Sequence, residues 1–303
     1  MFHMGSTDYV YSTLLRGGKI IVLDGFQVEA MSRIVAVERL GWLHLNSAVI
    51  ERIIIQIRSD GVQPKGVKFV GVMADLVPRA QIAALTTLMG APYANTFGST
   101  ETGPVPASKG VIDVGVVPER LSKVQSSLCE LRFVDENGRD VIDGEPGEAL
   151  VRAPSLFSGY WQAPEVNAEV FRDGWYHMGD VFRRNRDGTL DFVDRRKYLI
   201  KSGGENIYPA EIEGVLLASG RVANAVVVRR ADARWGEVPV AFVVRRDLQL
   251  TADDVVAICR GQIAGYKIPK DVIFVADEEL PRSSSGKIKR HELERRLVAA
   301  DES

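Results

Sequence analysis

The chain has 303 residues, with 38 Lys and Arg against 40 Asp and Glu and a formal net charge of -2, so it carries no overall positive field to gather nucleic acid or an anionic membrane. Its two cysteines, Cys129 and Cys259, lie far apart inside apolar runs, which excludes a disulfide framework or a zinc site and points to a reducing, cytoplasmic setting. No apolar run approaches the ~20 residues that cross a bilayer, so no transmembrane segment is expected, and the length suits about two domains at roughly 150 residues each.

The opening "MFHMGSTDYVYSTLLRGG" reads as the inside of a domain, because it is apolar where termini are usually loose and polar. "KIIVL" (19–23) reads as a short buried strand, and residues 28–41 place Val28, Met31, Ile34 and Val35 on one helical face. "VKFVGV" (67–72) reads as a second strand and 79–89 as a helix. Strand and helix in alternation predict an α/β layer over 1–110. From 111 to 193 short β runs are separated by turn signals, Asn137-Gly138 and Asp187-Gly188 among them, as in a small barrel or sandwich. Past Asp194, "YPAEIEGVLLAS" predicts a helix with Pro209 at its start and Glu211 and Glu213 in a first turn where the helix dipole favours them. The strands "VANAVVV" and "VPVAFVV", a helix over 253–263, a strand "VIFVA" and a final helix make 194–303 an α+β module. The Gly203-Gly204 pair near its start has the permissive backbone of a hinge.

Chemistry concentrates in a few polar motifs. "PRSSSGKIKR" (281–290) has a glycine and lysine at the end of a polar loop, as a phosphate-binding P-loop does. Three features separate it from that motif: Pro281 stands where the first glycine belongs, Ile288 replaces the Ser or Thr that would hold Mg²⁺, and no βαβ unit surrounds it. The other motifs are "NTFGSTETG" (95–103), "GYW" with "GWYHMGD" (159–180) and "DRRKYLIKSGGENIYPAEIE" (194–213). Taken in this order, these segments resemble the adenylate-forming acyl-CoA synthetases, a superfamily that also holds luciferases and the adenylation domains of peptide synthetases. The similarity runs from about Phe2 to the end of the chain.

The resemblance implies a large N-terminal domain, built of an α/β layer and a small β-barrel, followed by a small mobile α+β C-terminal domain pivoting at Asp194. It implies ligation of a carboxylic acid, fatty or aryl, to coenzyme A, with ATP as co-substrate and Mg²⁺ as metal. The acid attacks the α-phosphate of ATP, releasing pyrophosphate, and a thiol then displaces AMP from the acyl-adenylate. Two anions are pressed together in the first step, so fixed positive charge must meet the developing charge. By resemblance Lys287 brings that charge from the moving domain. Phe97 packs on the adenine, Gly98 and Ser99 let the backbone approach, Thr100 donates to a phosphate oxygen and Glu101 helps hold Mg²⁺. Asp180 accepts from the ribose hydroxyls and Arg195 reaches the ribose or phosphate. Lys201, Ser202, Gly203 and Gly204 line the tunnel for the thiol, and His3, Gly71 and Asn95 are wall candidates for the acyl pocket.

Two departures from the pattern bear on activity. No Thr/Ser/Gly-rich phosphate loop with a lysine occurs; in the family it lies upstream of "FHMG", which makes this chain read as a fragment. "VGVMADL" (70–76) stands where relatives usually have a Gly-Ala/Glu-Pro run whose backbone borders the adenine. Delivery to an acyl-carrier protein, and a nucleotide-binding remnant without full activity, stay open as alternatives. A fused carrier module is not visible, which favours free coenzyme A.

Overall fold

The computed structural model of the chain describes residues 4–45, 47–75, 77–283 and 286–301. It divides into two compact units, the first from Met1–Met178 and Phe182–Phe192, the second from Gly179–Val181 and Val193–Ser303.

The first unit begins with α1 (Met4–Leu15), α2 (Val28–Val37), β1 (Leu40–Leu43), α3 (Ser47–Ser59), β2 (Val67–Val70), α4 (Arg79–Met89) and β3 (Tyr93–Ala94). β1, β2 and β3 run parallel, with Trp42 opposite Phe69 and Val70 opposite Tyr93. Ile50, Ile53, Ile54 and Ile57 recur on one face of α3 at helical spacing and meet Val35, Ile82, Leu85, Val70 and Tyr93 in a single core. α4 ends where Gly90 turns left-handed, φ 60°, and its N–H closes back on Thr86 and Thr87. The strand expected over 19–23 does not form. Those residues follow an irregular path with Val22 largely exposed, and among the described residues no strand lies beside them to complete a ladder.

A hairpin of β4 (Phe97–Ser99) and β5 (Gly103–Ala107) follows, and then β6 (Val111–Ile112), antiparallel to β3. The β-rich part contains β7 (Glu130–Val134), β8 (Pro146–Arg152), α5 (Pro164–Val170), β9 (Phe171–Arg172), β10 (Trp175–Arg184) and β11 (Leu190–Arg195), with sheet order β11-β10-β8-β7 and β9 beside β10. Phe97 and Ala107 of the hairpin share a core with Phe133, Ala149, Phe182 and Leu190, so the motif loop between β4 and β5 stands on this sheet.

The second unit is built on β12 (Ile200–Ser202), β13 (Glu205–Ile207), α6 (Pro209–Ala218), β14 (Val222–Asp232), β15 (Gly236–Arg245), α7 (Ala252–Cys259), β16 (Asp271–Phe274) and α8 (Arg290–Asp301). Its sheet runs β13-β12-β15-β14, with β16 parallel to β15. The two-residue period of β14 and β15 sorts their side chains. Ala225, Val227, Ala241 and Val243 meet α6 and α7, whereas Val226, Val228, Val240 and Phe242 meet Leu293 and Leu297 of α8. Pro209 opens α6 as expected, but Glu213 belongs to no solvated first turn: it is buried. The Gly203-Gly204 pair closes the β12–β13 hairpin between paired Ser202 and Glu205, both glycines at positive φ (59° and 88°). A two-residue connection of this kind requires that conformation, so the pair is a hairpin turn and not a hinge. No described helix is long and apolar enough to cross a membrane.

Candidate functional site

The turn between β4 and β5 presents the first group of motif residues. Gly98 is required by the backbone, because a Cβ there would lie 2.1 Å from the Gly103 carbonyl oxygen. Thr102, fully buried, holds the turn: its hydroxyl accepts from the Ser99 N–H (3.0 Å) and donates to the Val105 carbonyl (2.7 Å). Thr100 is thereby left exposed at the tip. Glu101 is half-buried, and its Oε1 accepts from the Tyr160 hydroxyl at 2.9 Å. Burial, and then the neighbouring Glu101, push the Tyr160 phenol up, so it stays a donor. Tyr160 is itself clamped by Asn167 of α5, whose amide accepts from the Tyr160 N–H (2.7 Å) and donates to its carbonyl (2.9 Å). Sequence reasoning marked "GYW" as a motif without seeing this relay; a tyrosine seven residues before a helical asparagine was the only trace of it.

Phe97 is seated among other aromatic rings. Its ring is 5% exposed, stacked on Phe192 at 5.1 Å between centroids and edge-on to Phe182 at 4.9 Å. Stacked on Phe192 and in edge contact with Phe182, Phe97 anchors β4 in the core.

The acyl-wall candidates are also committed to the scaffold. A Cβ on Gly71 would fall 2.1 Å from the Tyr93 ring, and the Gly71 carbonyl takes the Trp42 indole N–H at 2.7 Å. Asn95 is buried, accepting from the Ala74 N–H (3.0 Å) and donating to the Leu121 carbonyl (2.9 Å). His3 lies outside the described residues. The departure at Asp75 now has a partner: Lys123, fully buried, donates to its carboxylate at 2.6 Å. Burial pushes the Asp75 carboxyl up against the pull of Lys123. The pair pins 71–75 to the Leu121–Lys123 stretch, and neither residue was paired with the other from sequence because 48 positions separate them.

The second unit assembles the remaining residues. Asp180 of β10 is buried, and Arg195 at the end of β11 brings Nε within 3.1 Å of its Oδ1, so two residues 15 positions apart become one ion pair. Asp194, beside Arg195, is buried as well. Its carboxylate accepts from the Arg195 N–H (2.6 Å) and, across 16 residues, from the Ala210 N–H at 2.8 Å, capping the first turn of α6. Burial pushes this carboxyl up to about 6, with the Ala210 hydrogen bond and the Arg290 charge pulling the other way.

Lys201 is exposed and its backbone N–H donates to Glu237 (2.8 Å), Ser202 is buried opposite Gly236, and the Trp235 ring covers Gly203. Lys287 is exposed at the end of a small hairpin. The Ser283 N–H donates to the Lys287 carbonyl (2.8 Å), the Lys289 N–H to the Pro281 carbonyl (2.8 Å), and Gly286 sits at φ 79°. Ser284 and Ser285 lie outside the described residues.

As for metals, among the described residues no three His, Cys, Asp or Glu side chains converge. A single oriented carboxylate beside an exposed hydroxyl suits Mg²⁺, which takes one or two carboxylates and completes its shell with water and phosphate. The residues present therefore fit a magnesium ion that arrives with a nucleotide.

The chain matches the profile of the family described as "AMP-binding enzyme" over residues 1–161 and that of the "AMP-binding enzyme C-terminal domain" over 211–287. Indoleacetate–CoA ligase of Aromatoleum aromaticum is 36% identical over 301 residues, covering 99% of this chain and 58% of that protein. Feruloyl-CoA synthase of an Amycolatopsis species is 36% identical over 301 residues, 98% of this chain and 60% of its own length. Among solved structures, o-succinylbenzoate CoA synthetase (MenE) of Bacillus subtilis in complex with its acyl-adenylate intermediate superposes with a TM-score of 0.81 at 26% identity, over 96% of this chain and 58% of that one. The same enzyme in complex with ATP and a magnesium ion also gives 0.81. The chain thus spans about three fifths of the length of these relatives. With a family profile matched over more than half its residues, and both the α/β-plus-β unit and the small α+β unit in place, this chain belongs to the AMP-binding enzyme family.

Proposed function

We propose that this polypeptide is an acid–thiol ligase, activating a carboxylic acid with ATP as an acyl-adenylate and passing the acyl group to coenzyme A. The observation that supports the reading is the β4–β5 turn, in which buried Thr102 braces the backbone, Thr100 is exposed at the tip and the Tyr160 hydroxyl holds the Glu101 carboxylate. The names of the relatives concern indoleacetate, feruloyl and 2-succinylbenzoate groups. Each is an aromatic acid, so an aromatic acid is the substrate class.

In this reading Thr100 donates to a phosphate oxygen, Gly98 and Ser99 bring the backbone close, and Phe97 supports them from the core. Glu101 would hold Mg²⁺, which when bound offsets phosphate charge. Asp180, with Arg195 beside it, receives the ribose hydroxyls, a task suited to a carboxylate that only accepts. Residues 194–303 act as the moving module and 1–110 with 111–193 as parts of the larger domain. Turning about Asp194 carries Lys287 inward for adenylation and then presents Lys201 to Gly204 to the thiol. The free, partly or fully buried Cys129 and Cys259 fit a cytoplasmic setting. Of the acyl-wall candidates, Gly71 and Asn95 shape the pocket through the segment 71–75 that they hold.

A second reading is nucleotide binding without turnover, which needs only the buried Asp180 with Arg195 paired to it for the ribose. Calorimetry with AMP beside an acid-dependent pyrophosphate assay tests both. Binding with pyrophosphate release, followed by acyl-CoA formation, is the expected result; binding without release selects the second reading, and no binding removes both.

A further inference from the structure

A group of buried charges lies just behind the Lys287 hairpin. Arg290, the first residue of α8, donates through Nη2 to Glu213 Oε2 (2.9 Å), through Nη1 to Glu213 Oε1, and through Nη1 to the Val227 carbonyl (2.6 Å). The same Glu213 accepts from the Val227 N–H at 2.7 Å, so the carboxylate joins α6, β14 and α8. Both side chains are largely buried, and the fork-on-carboxylate geometry is the strong form of this interaction. Burial alone would lower the Arg290 guanidinium; Glu213, with Asp194 and Tyr198, more than offsets it and holds it well above the usual arginine value.

The other side of the guanidinium faces the hinge segment. The Arg290 carbon Cζ lies 4.9 Å over the ring of Tyr198, four residues beyond Asp194. Asp194 meanwhile caps α6, the helix that carries Glu213. Arg290, three residues beyond Lys287, is thus linked to the pivot carboxylate through α6 and Glu213.

We propose that Arg290 and Glu213 are positioning residues that lock the Lys287 hairpin to the hinge segment Asp194–Tyr198, so that loop and pivot move as one body. The functional consequence rests on the ligase reading above; the lock itself does not. A lysine that has to be delivered against a nucleotide by a turning module gains from this arrangement, because rotation at the pivot reaches the ammonium without being absorbed by a soft loop. An arginine serves here where a lysine would not, since only the planar fork engages both carboxylate oxygens while presenting a face to Tyr198.

Amide hydrogen exchange on the intact chain tests the lock directly. In Arg290→Met, exchange at Ser283, Lys287 and Lys289 and at the hinge-side amides that Asp194 holds, Arg195 and Ala210, is expected to rise together by about tenfold, with Val240 and Phe242 in the central strand unchanged. Glu213→Gln should give the same paired response, and Arg290→Lys a smaller one; these two keep the test available if Arg290→Met does not fold. Loop amides that exchange faster while the hinge amides stay protected, or no change at either, overturn the proposal. If the wild type releases pyrophosphate with acid, Arg290→Met should lower kcat of that step about tenfold with the KM for the acid unchanged, and an unaltered kcat overturns the functional role. If the wild type releases none, the ligase reading fails and the exchange pattern alone decides the lock.

Discussion

Lys287 and Asp194 place opposite demands on their surroundings. The lysine stands exposed on a small hairpin, at the end of a long flexible stem. On the ligase reading proposed above, Lys287→Ala should reduce acid-dependent pyrophosphate release to background while AMP binding, measured by calorimetry, weakens far less; unchanged release would remove the lysine from that reading. Asp194 is buried and its carboxyl is pushed up to about 6 from 3.8, because burial outweighs the two N–H donors and the Arg290 charge. A carboxyl raised on folding adds stability that is complete below the unfolded value and is lost as pH rises through the folded one. Stability of the wild type relative to Asp194→Asn should fall by on the order of 2–3 kcal/mol between pH 4 and pH 7, by urea titration. A flat difference across that window would show that Asp194 is already ionised at acid pH. Lys123 illustrates what sequence hides at this scale, since nothing in "RLSKVQ" marks its lysine as the buried partner of Asp75.

Among elements, the β4–β5 hairpin is the one on which the candidate chemistry depends. Its turn is shaped from inside by Thr102, and nothing in "GSTETG" marks that threonine rather than Thr100 as the buried one. Thr102→Val leaves the Ser99 N–H and the Val105 carbonyl without their buried partner, and should cost about 1–3 kcal/mol. Loss of Mg²⁺-dependent nucleotide affinity should accompany it, read by calorimetry at several Mg²⁺ concentrations; unchanged affinity would mean that the turn does not position Thr100 and Glu101. Many helices and strands were legible from periodicity. α4 begins and ends at the expected residues, and β14 and β15 contain the two valine-rich runs. The strand over 19–23 was misread because an apolar run reports burial preference and not the presence of a partner edge. The Gly203-Gly204 pair was misread as a hinge because permissive backbone is equally the mark of a tight hairpin.

For the whole molecule, the two units hold separate cores, one centred on Ile53, Ile82 and Tyr93 and the other on Ile212, Leu216 and Val227. Such units unfold with their own midpoints when little couples them. Scanning calorimetry should resolve more than one transition. Ile53→Ala and Leu216→Ala, each expected to cost ~2–5 kcal/mol, should each lower a different one. A single transition shifted equally by both would show that the units fold as one cooperative body.

Composition and periodicity by themselves determined the fold class, because the hydrophobic pattern of a strand or helix is local and survives without knowledge of its partners. Motif order by itself was enough for the family resemblance, for the same reason. Only the tertiary structure decided that Phe97 is a core ring, that Asn95 and Asp75 pin a loop, that Asp194 caps α6 and that Glu213 grips Arg290. Each of these is a contact made across 16 or more positions, and a polar side chain's partner is set by where folding brings the backbone, which no local pattern encodes.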